Sequence, residues 1–99
     1  MIYHVRITRG DDLVWENPRA TLPDEIRDVG AYFSRAFGER VILHAEKNGY
    51  PNLRHYSQFR GESTIEGYRV TVVGLAKSHY GAGAHYKPLD TPYTITAEK

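Results

Sequence analysis

The 99-residue chain has no cysteine, which excludes disulfides and thiolate metal sites and makes a reducing compartment, the cytoplasm, the expected setting. No apolar run approaches the roughly 18 residues that a membrane-crossing helix needs. The opening MIYHVRITRG has no apolar core behind a basic start, so no secretion signal is expected. An excess of either charge is also missing. Thirteen Lys and Arg stand against twelve Asp and Glu, a net charge of +1, which provides no broad positive field for nucleic acid or an anionic membrane. Catalytic signatures are lacking too. The glycines match neither the Walker pattern nor the dinucleotide fingerprint, and no serine elbow or paired catalytic constellation is present. No catalytic residue, metal ligand or cofactor is expected.

What remains is a globular composition, 40% hydrophobic and 25% charged, with no linker, repeat or low-complexity tract. One domain, 1–99, follows. The clearest helical pattern is 22–38, LPDEIRDVGAYFSRAFG, where Ile26, Val29, Gly30, Phe33 and Phe37 recur at three- and four-residue spacing. Thr21 and Asp24 predict its start, with Pro23 in the first turn and Asp24, Glu25 and Asp28 near the positive end of the dipole. Gly38 predicts its stop.

Everything else reads as strand. Residues 2–8 alternate and 13–15 return after an Arg9-Gly10-Asp11-Asp12 turn, ending at Pro18; that Arg-Gly-Asp triplet is read as a tight turn, not as a recognition motif. Residues 40–47 alternate again, followed by Asn48-Gly49 as a hairpin turn. Residues 50–60, compromised by Pro51, form an edge strand or irregular ribbon; 61–63 turn the chain. Residues 64–76 make the central strand, with Gly67 and Gly74 marking bulges or close backbone approaches. Residues 77–92 read as a loop and 93–97 as a last strand. The expected fold is α+β in the order β-β-α-β-β-β-β: an antiparallel sheet of four to six strands with one amphipathic helix packed on one face. Its core is expected to hold Val5, Ile7, Ile26, Val29, Phe33, Phe37, Val41, Leu43, Val70 and Val72.

Eight tyrosines are the one clear excess, and they suit binding surfaces as well as strands. Arg54, His55, Tyr56 and Arg60 form a cluster without acids, and the loop HYGAGAHY sets His79-Tyr80 and His85-Tyr86 about a flexible centre. Acids gather instead at Asp11, Asp12, Glu16, Asp24, Glu25 and Asp28, a surface suited to a basic partner if they lie together. His79 and His85, with His55 or His44, lack a recognised metal-ligand spacing. His44 itself is expected to be half-buried on a strand with a backbone partner.

Aromatics interspersed with arginine match protein interface hot spots, so the expected function is non-enzymatic protein binding. The expected binding residues are Arg54, Tyr56, Arg60, Tyr80 and Tyr86, with Asp24, Glu25 and Asp28 as a second patch. The alternative is a nucleic-acid-binding protein or small ribonuclease using the Arg/Tyr/His ribbon and the loop from His79 to Tyr86. In element layout, from MIYHVRITRG through TPYTITAEK, the chain resembles the small phage-encoded inhibitors called anti-CRISPR proteins. That resemblance carries over no individual residue. It implies a stoichiometric binder that blocks a host nucleoprotein complex.

Overall fold

The computed structural model describes residues 1–49, 53–55, 59–79 and 83–99, and for 53–55, 75–79 and 83–88 the backbone alone. Six strands and one helix follow in order: β1 (Ile2–Arg9), β2 (Asp12–Thr21), α1 (Val29–Lys47), β3 (Leu53–His55), β4 (Phe59–Ser63), β5 (Gly67–His79) and β6 (Gly83–Glu98). The strands form one antiparallel sheet in the order β2-β1-β6-β5-β3, and β4 also pairs with β5. β3 and β4 occupy successive stretches of the same β5 edge, β3 opposite Ala76 and Lys77 and β4 opposite residues 68–72. The α+β architecture follows as expected, one helix lying on one face of this sheet.

Strand alternation decides what that helix covers. Tyr3, Val5 and Ile7 of β1, Tyr93, Ile95 and Ala97 of β6, and Val70 and Val72 of β5 point to one side and are buried there. Against them α1 lays Val29, Phe33, Phe37, Val41 and Ala45, a stripe with a step of four residues. Phe33 meets Phe37 and Tyr68 with ring centroids 5.2 and 6.0 Å apart, and Trp15 of β2 reaches Phe37 at 5.8 Å. At its first turn the helix sits directly on β4: a Cβ on Gly30 would lie 2.8 Å from the Phe59 carbonyl oxygen, and one on Gly61 would strike Gly30 N and Val29.

The helix itself is displaced from the sequence expectation. Residues 22–28 are an irregular approach, α1 begins at Val29, and Asp28 caps it by accepting a hydrogen bond from Ala31 N at 3.0 Å. Gly38 is buried mid-helix and does not stop it. The segment 40–47, expected as a strand, is its second half, because the four-residue stripe runs on through Val41 and Ala45 and outweighs the local alternation. As a consequence Leu43, expected in the core beside Val41, is 50% exposed, whereas Val41 and Ala45 are fully buried. Ile26 is only partly buried against the core. Asn48-Gly49 ends the helix and makes no hairpin: Gly49 has φ 96°, Asn48 N donates to the Ala45 carbonyl at 3.0 Å, and Asn48 Nδ2 donates to the His44 carbonyl at 2.8 Å.

The element order matches the expected string only because two differences offset one another. The strand lost to the helix at 40–47 is offset by two described strands, β3 and β4, where one was expected over 50–60; residues 50–52, with Pro51, and 56–58 lie outside the described residues. Gly61-Glu62-Ser63 belong to β4, and the chain turns instead at Ile65 and Glu66, between the reciprocal bonds of Thr64 and Gly67. Of the expected loop 77–92, residues 80–82 lie outside the described residues and the rest is strand, with β5 and β6 paired from His79 opposite Gly83 to Gly74 opposite Pro88 and again from Val72 opposite Tyr93 to Gly67 opposite Glu98. Pro18 does not end β2, which continues to Thr21 as an edge strand with shifted register on either side of Val5–Ile7. Gly67 and Gly74 behave as expected. A Cβ on Gly67 would collide with the Ala97 carbonyl, and the β5–β6 register shifts between Val72 and Gly74.

Candidate functional site

One helix on one face leaves the other face of the sheet uncovered, and the register gives its composition. One row across the strands reads Glu16, Arg6, Thr96, Arg69 and Glu62; the next reads Leu13, Thr8, Thr94, Thr71 and Arg60. His4, opposite Glu98, lies at one end of this surface. Among the residues whose side chains are described, this face carries no Phe, Tyr or Trp.

Its two sides differ electrostatically. On the β1–β2 side the charges are paired: Glu16 lies 2.6 Å from His4 Nε2 and 3.4 Å from Arg6 Nε. The hydrogen bond from His4, helped by Arg6, holds the Glu16 carboxyl below its ordinary range. On the β4–β5 side, Arg60, Gly61, Glu62, Arg69, Thr71 and Val73 line a shallow open depression of about 300 Å³. Neither Arg60 nor Arg69 has an ion-pair partner among the described residues.

A second concavity lies at the far end of the helix, bordered by Arg9, Gly10, Asp11, Asp12, His44, Asn48 and Thr91. Here His44, on α1 where a strand was expected, pairs its Nδ1 with the Tyr93 hydroxyl at 2.8 Å and not with backbone. The Arg9 guanidinium stacks 5.6 Å from the Tyr93 ring centroid. The Tyr93 ring is fully buried, so this cluster anchors the helix C-terminus to the sheet.

The expected site residues separate. Arg60 faces outward in the depression. Arg54 lies on β3 and Tyr86 on β6 opposite Ala76, their side chains outside the described residues; Tyr56 and Tyr80 lie outside them altogether. His79 ends β5 opposite Gly83. Asp28 is the helix cap, Glu25 is exposed on the approach to it, and Asp24 lies 3.5 Å from the Met1 amino group.

The acids do not form one surface. Asp11 and Asp12 sit at the Arg9 end of the β1–β2 hairpin and Asp24, Glu25 and Asp28 beyond its Ile2 end, a strand length of about 25 Å away, while Glu16 is on the open face. Of the tyrosines whose side chains are described, Tyr3 and Tyr93 are core residues and Tyr32 and Tyr68 are partly buried against the core. Burial, with Tyr3 alongside, pushes the Tyr68 hydroxyl above its ordinary pKa.

No family model, no curated protein and no solved structure matches this chain. The reading of the site rests on geometry. Arg69, Thr71, Glu62 and Arg6 are its residues that sequence reasoning passed over, although the signal was present. Once Tyr68, Val70 and Val72 are assigned to the covered side, Arg69 and Thr71 must emerge on the other.

Proposed function

We propose that the chain is a non-enzymatic protein-binding protein that docks through the uncovered face of its sheet. The observation that carries this reading is the depression beside Arg60 and Arg69, on a surface whose side chains are set by paired strands. Such a platform loses little conformational freedom on association, and arginines are favoured anchors in protein interfaces. Absence of aromatic stacking side chains among those described on this face, with Glu16, Glu62 and Glu98 interspersed, favours protein binding over the single-strand nucleic-acid reading, since nucleic-acid platforms combine stacked rings with a continuous basic groove.

Site-resolved photo-crosslinking tests the proposal. A benzophenone side chain replacing Thr94, at the centre of the open face, should capture a protein partner, and one replacing Glu39, on the outer side of α1, should not. Capture from position 39 alone would overturn the assignment of the face. An inhibitor's role, implied by the layout resemblance, adds one demand, that the captured partner lose an activity when bound.

A further inference from the structure

We infer that the depression at Arg60, Arg69 and Thr71 recognises an acidic peptide: an extended partner segment with Asp or Glu at alternate positions. This inference rests on the docking-face reading above and names the partner's chemistry.

Arg60 stands opposite Thr71 and Arg69 opposite Glu62, so the two arginines are diagonal neighbours on adjacent antiparallel strands. Such positions have α-carbons on the order of 7–8 Å apart. Alternate residues of an extended chain are separated by about 6.6 Å and point the same way, so two carboxylates at that spacing match two guanidinium groups. Arginine presents a planar fork that a carboxylate accepts through two parallel hydrogen bonds, and Thr71, directly across from Arg60 and two residues from Arg69 on the same strand, lines the depression with a hydroxyl as a further donor. Val73 contributes an apolar wall against which the methylenes of a glutamate can pack.

Glu62 shares the depression and sits directly across from Arg69, yet makes no ion pair there among the described residues. It is placed to compete with an incoming carboxylate for Arg69. This opposition gives the inference its sharpest test, because neutralising Glu62 and neutralising the arginines must act in opposite directions.

The experiment is an NMR titration of the isotope-labelled full chain at physiological salt. Three probes are used: a peptide alternating Glu and Thr, its counterpart alternating Gln and Thr, and oligothymidylate. The Glu peptide should shift the amides of Arg60, Arg69 and Thr71. Arg60→Gln with Arg69→Gln should weaken it at least about tenfold, Glu62→Gln should tighten it about two- to threefold, and Arg35→Gln on the helix should leave it unchanged.

If the Gln peptide binds the same face equally well, the docking face stands and the acidic preference is overturned. Shifts confined to the outer side of α1, or no response to any peptide, overturn both. Oligothymidylate binding that exceeds the Glu peptide and is lost in the double arginine variant overturns the inference in favour of nucleic acid. Glu62→Gln failing to tighten binding overturns the placement of the carboxylates.

Discussion

Gly30 and Gly61 show how single side chains, or their absence, set the position of the helix. A Cβ on Gly61 would run into Gly30 N and Val29, and one on Gly30 into the Phe59 carbonyl, so the first turn of α1 rests on the β4 backbone itself. Replacing Gly61 with Ala should push the helix N-terminus off the sheet and cost on the order of 1–3 kcal/mol, read as a lower melting temperature. The Gly30→Ala, Gly61→Ala double variant should cost less than the two single changes summed, since the first displacement already makes room for the second methyl. A Gly61→Ala protein that melts with its parent would show that the contact is not close. Nothing in the spacing of either glycine announces this contact. It exists only once β4 is known to lie beneath residue 30, a long-range fact that local pattern does not carry.

Helix α1 is where local signals competed. Its true start is a single capping carboxylate, and Asp28→Ala should destabilise the fold by about 1 kcal/mol while Asp28→Asn restores most of it. Asp24→Ala, at the start predicted from the sequence, should by contrast stay within about 0.5 kcal/mol of the parent in chemical denaturation. Equal losses at both positions would contradict the structural boundary. The stripe through Val29, Phe33 and Phe37 was legible from spacing alone, and so was the helix-on-sheet layering that it demands. The far half was not. Val41, Leu43 and Ala45 fit a two-residue period as well as Val41 and Ala45 fit a four-residue one, and a glycine at 38 suggested a stop. Tertiary burial decided the matter: the second half of the helix buries Val41 and Ala45 and sets His44 against Tyr93, and its left-handed glycine is Gly49. The site was legible in the same uneven way. Arg60 was visible as a member of a basic cluster, but its companions Arg69 and Thr71 needed the strand faces to be assigned first. The tyrosine excess suited surfaces and strands alike, and at Tyr3 and Tyr93 it serves the core.

At the scale of the molecule, β6 is paired on both sides, to β1 and β5, whereas β2 and β3 lie at the edges. Hydrogen exchange should therefore find the amides of Thr94, Ile95 and Thr96 opening only with global unfolding, and those of β2 near Asn17 and Arg19 exchanging by local fraying, with protection lower by at least about tenfold. Uniform protection across β2 and β6 would contradict the order of the strands. That same sheet, buried on one face and open on the other, divides its residues by odd and even position, and length changes will be judged by that parity. One residue inserted between Phe59 and Arg60 would swing Arg60 and Glu62 inward and bring their apolar-side neighbours out, erasing the depression and the helix seat together. In β6, between Pro88 and Tyr93, the chain already carries residues outside the ladder with β5, so one more could be absorbed there without turning any partner over. Diverged copies of this chain should thus vary in length at 89–92 and keep the spacing of β4 fixed.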